Sequence, residues 1–310
     1  MEQSQWADRG QLLQLDSPDN AALGSCVGVS RLGSAQLSGA NFSIWVQLRG
    51  ASWVEAKEGK FRLKRGDWIA FERDSKPVLQ ADRHGLCVGL NLSADALKAM
   101  ARFADCGLYA GRGRMSRRDA RVVLRLWRQA SVRAADTEAP AEATSLRPIL
   151  LHLAGIQREL ASRIPRCPGR SRSRKRQVFG RLQRARLYLE GNCDRVVRIS
   201  ELAELTSFSS WYFSKTFHSL YEESPQAASA RMRLEHAADL LKSTTMMIGE
   251  VAAASGFDNC CSFARAFRAR FGVSATRYRS AAASNAGLSS RADSAKSRGS
   301  VRKAALATAI

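Results

Sequence analysis

The sequence predicts an α+β, multidomain protein. An N-terminal β-sandwich or small barrel comes first, a helical extension follows, and an all-α C-terminal domain is built from a duplicated two-helix unit. Three observations carry this. Residues about 24–92 alternate apolar and polar in short runs separated by turns. From Ser93 the apolar period lengthens to that of a helix. Aromatic residues between 208 and 271 then recur at an offset of 49–50.

The β region is read from three stretches. In NFSIWVQLRG (41–50), Phe42, Ile44, Val46 and Leu48 share one face, with Ser43, Trp45 and Gln47 on the other. FRLKRGDWIAFERDSKP (61–77) sets Arg-Gly-Asp between two short apolar runs, a turn signal. In GLCVGLNL (85–92), Leu86, Val88, Leu90 and Leu92 alternate again. Several short strands with turns between them suggest a sandwich or small barrel. LSADALKAMARFADCG (92–107) opens the helical extension with a Ser N-cap, and residues 118–133 and 146–163 continue it.

These patterns divide the chain into 1–92 (β-domain), 93–162 (helical extension, with a dimer contact as one role), 163–177 (linker), 178–280 (the duplicated domain) and 281–310. The linker, RIPRCPGRSRSRKRQ, holds seven basic residues and no acid, and reads as a solvated boundary or an auxiliary phosphate-contacting arm. The last segment, rich in Ala and Ser, reads as a disordered tail.

The net charge of +21 is one-sided. Residues 1–90 carry 11 Lys/Arg against 10 Asp/Glu, residues 91–160 carry 12 against 7, and residues 161–310 carry 26 against 11. Such asymmetry points to a polyanionic partner for the C-terminal half. No 18-residue apolar run predicts a membrane span, and the polar start lacks a secretory pattern, so a cytoplasmic location is expected. The seven cysteines are odd in number and form no zinc spacing or disulfide framework, which fits reduced thiols.

ELAELTSFSSWYFSKTFHSLYEESP (201–225) falls on EVAAASGFDNCCSFARAFRARFGVSA (250–275). Phe208 matches Phe257 at 49, and Phe213, Phe217, Tyr221 and Ser224 match Phe263, Phe267, Phe271 and Ser274 at 50. Each copy has a short helix, a tight turn, and a new N-cap (Ser209 or Ser210, then Asp258 or Asn259). Gly256 suits the positive φ of a helix C-terminus, and Ser207 occupies its place less favourably. The second helix is expected to bury Phe213, Phe217 and Leu220 in one copy and Phe263, Phe267 and Phe271 in the other, leaving Trp211, Ser214, Lys215 and His218, or Cys261, Ser262, Arg265, Arg268 and Arg270, toward solvent or a partner. Such capped two-helix units are helix-turn-helix motifs, whose second helix can enter a DNA major groove. Between them, SPQAASARMRLEHAADLLKS (224–243) begins with a Ser N-cap and Pro at N1, and reads as a connecting helix.

On these residues, and on ARMRLEHAADLLKST and the run from Gly256 to Arg279, residues 178–280 resemble the DNA-binding domain of AraC/XylS-family transcription regulators. The resemblance covers about a third of the chain. It implies a seven-helix domain that reads double-stranded DNA through the two second helices. Carried over by position, the base-facing candidates are Trp211, Ser214 and Lys215, then Cys261, Ser262 and Arg265, with Tyr212 and Arg268 completing the DNA-contacting set. Arg265 has the chemistry for a bidentate guanine contact. Lys215 suits a base or a phosphate, and Arg268, Arg270, Arg277 and Arg279 suit phosphate. The sequence departs from the family pattern at Ala228, Met247 and Ala275, where an aromatic, a Ser or Thr cap and a Pro are usual. The Cys260–Cys261 pair is also atypical, since a thiol is a weak donor.

The stretch SIWVQLRGASWVEAKEGKFRLKRGDWIAFERDSKPVL (43–79) similarly resembles the cupin-like domain that precedes the DNA-binding domain in many such regulators. There it binds an effector, dimerises, or both. A catalytic metal needs clustered ligands, and of the four histidines only His84 lies in the β region, so no metal, no cofactor and no enzymatic activity are expected. Trp45, Trp53 and Trp68 fit a ligand lumen or a packed core equally, and no effector-binding residue is assigned. The expected function is an effector-responsive activator with promoter DNA, RNA polymerase, a small-molecule effector and a second copy of itself as partners. The alternatives are a ligand-independent dimeric architectural DNA binder and a metal-dependent enzyme on a DNA tether.

Overall fold

A computed structural model describes residues 5–15, 24–104, 107–136, 142–282 and 284. The expected tail, 281–310, lies almost wholly outside the described residues. The chain forms two compact units. The first comprises residues 1–192 and 197–225, the second 193–196 and 226–310.

The first unit begins with a two-sheet sandwich. One sheet has the order β1 (Gln5–Ala7), β3 (Gly24–Ser30), β10 (Leu86–Leu92), β5 (Phe42–Arg49), β8 (Asp67–Phe71) and β11 (Gly111–Arg114). The other runs β2 (Leu12–Leu15), β4 (Ser34–Leu37), β9 (Val78–Ala81), β6 (Ala51–Ala56) and β7 (Gly59–Lys64). Pairing is antiparallel except where β1 joins β3 and β2 joins β4. Helices α1 (Ala94–Ala104), α2 (Arg117–Asp136), α3 (Glu142–Ile156) and the single turn α4 (Arg158–Ala161) follow.

The alternation in β5 separates two cores rather than a core and solvent. Phe42, Ile44, Val46 and Trp68 join Val123, Trp127, Ile149 and Leu153 beneath the helices. Trp45 points the other way and packs with Val54, Phe61, Leu63, Ile69 and Phe71 between the sheets. Ser43 and Gln47, which look like a solvent face in sequence, are therefore fully buried. The three tryptophans part company: Trp45 lies between the sheets, Trp68 under the helices, and Trp53 on the outer face at 57% exposure. They do not line one lumen. Trp127 pins α2 to the sheet by donating to the Gly89 carbonyl at 2.9 Å.

The basic stretch 163–177 is mostly exposed but not without regular structure. Residues Ile164–Arg166 form a 3-10 turn, and at Arg172 the chain enters helix α5 (Arg172–Gly191), capped by Ser171, whose hydroxyl accepts from the Arg174 amide at 3.1 Å. Helix α5 docks on the sandwich. Leu187 enters the core between the sheets, and Phe179 stacks edge-on against Tyr109 at 4.9 Å. Gly191 and Gly59 meet so closely that a Cβ on Gly191 would lie 2.4 Å from the Glu58 carbonyl. Arg184 donates to the fully buried Glu58 carboxylate at 2.7 Å and lies 3.0 Å from Asp74. Burial alone would push the Asp74 carboxyl up, but the hydrogen bonds and charges of Arg184 and Lys57 outweigh it and hold it below the usual range. Burial raises the neighbouring Glu72, which the Glu58 and Asp74 charges reinforce and Arg184 opposes. These contacts are why the first compact unit runs past the expected boundary.

The first unit ends with α6 (Ile199–Thr206) and α7 (Ser210–Tyr221). Helix α8 (Pro225–Ser243) leads into the second unit, which holds α9 (Ile248–Ala254), α10 (Cys260–Phe271) and α11 (275–282). There Leu234, Ala238 and Leu241 of α8 pack with Val251, Phe263 and Phe267.

Candidate nucleic-acid interface

The first two-helix unit is α6–α7. Its opening turn is fixed by the Glu201 carboxylate, which accepts from the Arg198 amide at 2.9 Å. Its turn is closed by the Phe208 amide donating to the Ala203 carbonyl at 2.9 Å, with Ser207 in the left-handed region at φ +52°. Ser209 then caps α7, its hydroxyl accepting from the Tyr212 amide at 3.3 Å. Phe213, Phe217 and Leu220 are fully buried.

The second unit, α9–α10, repeats the same devices. Glu250 accepts from the Met247 amide at 2.7 Å, so this half of a capping box survives where the usual Ser or Thr is missing. The Phe257 amide donates to the Ala252 carbonyl at 3.0 Å, and Gly256 takes φ +71°. A side chain there would collide with Arg195, whose backbone lies 2.8 Å from a built Cβ. Asn259 caps α10, its side chain accepting from the Ser262 amide at 2.7 Å. Phe263 and Phe267 are buried and Phe271 is half-buried.

The outward faces correspond as well. On α7, Trp211, Lys215 and His218 are exposed, and on α10 so are Cys261, Arg265 and Arg268. Each set is spaced i, i+4, i+7, one face of a helix, and the two sets are fifty residues apart at every position. Trp211 is 70% exposed and carries the Lys215 ammonium 4.9 Å above its ring. This holds a cation at the tip of a flat apolar plate. Ser214 and Ser262 are half-buried. Tyr212 is half-buried too, with its ring edge-on to Phe208 at 5.0 Å, so it presents less surface than its neighbours. His218 is expected from sequence to face outward but is not counted there among the DNA-contacting residues. The repeat offset that equates it with Arg268 is the signal that finds it.

The four arginines read as phosphate contacts are not alike. Arg268 and Arg277 are exposed, Arg270 pairs with Glu235 at 3.0 Å, and Arg279 is half-buried. In the β region, His84 is exposed at a turn, where its amide donates to Asp82. Among the described residues no three His, Cys, Asp or Glu side chains converge as metal ligands, and no helix is long and apolar enough to cross a membrane.

A helix-turn-helix domain family matches residues 202–281. The HTH-type transcriptional activator AarP of Providencia stuartii is 26% identical over 93 residues, which span 30% of this chain and 69% of that protein. A solved structure of a probable AraC family transcriptional regulator from Rhodopseudomonas palustris is 33% identical, with 33% of this chain and 96% of that one covered and a TM-score of 0.31. The DNA-binding domain of AdpA, a global transcriptional factor solved in complex with a target DNA, is 25% identical over 32% of this chain and 90% of that one, with a TM-score of 0.31.

Proposed function

The chain belongs to the AraC/XylS family of DNA-binding transcription regulators, and from that premise we propose that it is a cytoplasmic, effector-responsive activator that reads two successive major-groove segments with α7 and α10. The observation that carries the reading is the duplicated outward face: Trp211, Lys215 and His218 in one unit, Cys261, Arg265 and Arg268 in the other. Both copies carry a permanent cation at the same outward position, Lys215 and Arg265, as two helices meeting the same polyanionic partner would. Lys215 and Arg265 approach base edges, and Arg268 and Arg277 hold phosphates. Ser214, Ser262 and Cys261 add shape contacts, and Tyr212 supports the turn beside them. The similarity to AarP, a transcriptional activator, supports activation, and RNA polymerase is the partner that activation would require. Dimerisation through the helical extension completes the proposal.

The test is selection of bound duplexes from a random pool with the full chain. Two conserved blocks about ten base pairs apart are expected, one helical turn. A single block, or salt-sensitive binding with no enrichment, refutes two-helix reading.

A second reading is favoured by the filled space between the sheets, where Trp45, Phe61 and Phe71 are fully buried. In it the sandwich is a ligand-independent dimerisation scaffold on an architectural DNA binder. DNA affinity that no small molecule alters would support it.

A further inference from the structure

A cavity of about 850 Å³ opens where α3, α4 and the start of α5 meet, wholly within the first compact unit. Its size is that of a small-ligand cleft, about 300–1,000 Å³. Two kinds of surface line it. One wall is apolar, from Tyr109, Leu151, Ala154 and Ile164. The other carries five cations: Arg158, Arg170, Arg172, Lys175 and Arg176. No carboxylate is among the lining residues.

Two of the cations, Arg172 and Lys175, stand where helix physics disfavours them. The first turn of α5 holds basic residues and no acid, although the N-terminus of a helix is its positive end and favours anions. Like charges three and four residues apart, as at Arg172, Lys175 and Arg176, add to the cost. The Lys175 ammonium is held at the cavity rim by the Pro165 carbonyl at 3.0 Å. A bound anion would pair with these cations and with the N-terminus of α5, and so offset the repulsion.

We propose that this cavity binds a small phosphorylated organic anion of nucleotide type, with an aromatic or apolar body against Tyr109 and Leu151 and two or more negative charges among the arginines and Lys175. A DNA backbone would satisfy the cations but would leave the apolar wall without a partner, and this decides between a small ligand and a duplex. The identification of the bound molecule as an effector rests on the regulatory reading above, while binding itself does not. Because Arg172, Lys175 and Arg176 of the cation wall lie at the start of α5, and α5 also carries the Arg184 contact to the sandwich, an anion there acts on the helix that leads into α6 and α7.

The test is fluorescence titration of the full chain with N-methylanthraniloyl-ATP. Saturable binding at one site per chain is expected. Arg158→Ala and Arg170→Ala, both at exposed positions, should each weaken it by about tenfold. Gly155→Leu should abolish it: Gly155 lines the cavity from α3, and a Cβ there meets nothing within 4 Å, so the fold tolerates the change and the side chain fills the space. Two results overturn the proposal. Pyrophosphate competing as well as the nucleotide, with Gly155→Leu binding normally, would show a cation cluster that takes any anion. Displacement by any short duplex, with the arginine variants losing DNA affinity in parallel, would make this face a backbone contact. Binding that passes these tests but leaves DNA affinity unchanged would refute the effector reading alone; a coupled ligand should shift that affinity about fivefold or more.

Discussion

Arg184→Met tests whether helix α5 is locked to the sandwich. Arg184 is 13% exposed and Glu58 is completely buried, so the pair sits away from water. One Glu58 carboxylate oxygen accepts from Arg184 and from the Ser75 hydroxyl, both at 2.7 Å, and the other has no hydrogen-bond partner. Removing the guanidinium leaves that carboxylate in a dry site with only a hydroxyl. Breaking a buried pair from one side costs about 3–5 kcal/mol. The second contact, to a half-exposed Asp74, adds no more than about 1 kcal/mol because water screens it. The expected loss at neutral pH is therefore about 3–6 kcal/mol, while Asp74→Asn should lose less than about 1 kcal/mol. Adding Glu58→Gln to Arg184→Met should restore most of the stability, since no unpaired charge remains. The Asp74 carboxyl is held low in the folded chain, so its share is complete above the unfolded pKa and disappears as pH falls through the lowered one. The assay is urea unfolding of the full chain followed by the fluorescence of its buried tryptophans. A loss below about 1 kcal/mol for Arg184→Met, with no recovery in the double variant, would refute the reasoning.

Three further outcomes are expected. Arg265→Ala should relax preference at one base position by about 1–3 kcal/mol, whereas Arg277→Ala should weaken all duplexes alike and reduce the salt slope by about one; equal effects on every sequence would remove Arg265 from base reading. Native-state alkylation should label the exposed Cys260 and Cys261 first, with target DNA protecting Cys261. Cys26 and Cys167 should stay unlabelled because burial pushes both thiols up to about 11; labelling unchanged by DNA would place α10 off the duplex. Burial lowers the His236 pKa against the opposing charges of Asp239 and Asp194, so stability of the second unit should fall as pH drops below the unfolded value of about 6.5. His236→Gln should flatten that dependence in denaturant melts, and an unaltered dependence would show that His236 is not its source.

By itself the sequence determined most of what is local in the two-helix units. The turn at Gly256 and the buried Phe213, Phe217, Phe263 and Phe267 depend on neighbours a few residues away, and the duplication repeats the pattern. The caps were narrowed to Ser209 or Ser210 and Asp258 or Asn259, and the backbone geometry selects Ser209 and Asn259. The left-handed turn at Ser207 was the weaker inference, since only its match to Gly256 pointed to it. The sheet was legible as alternation, but alternation does not say what covers each face. Ser43 and Gln47 are buried because the second sheet lies over them, and nothing in their own neighbourhood announces it. The edge strands β1, β2 and β11, three or four residues each, exist only through partners elsewhere in the chain. Tertiary structure alone decided that the arginine-rich stretch runs into a helix docked on the sandwich. Its anchor joins Arg184 to Glu58 across 126 residues, and its first turn meets α3 and α4 to shape a cavity. Contacts at that separation leave no periodicity in the sequence, because the free energy that fixes them comes from burial and from charges paired only after the chain has folded.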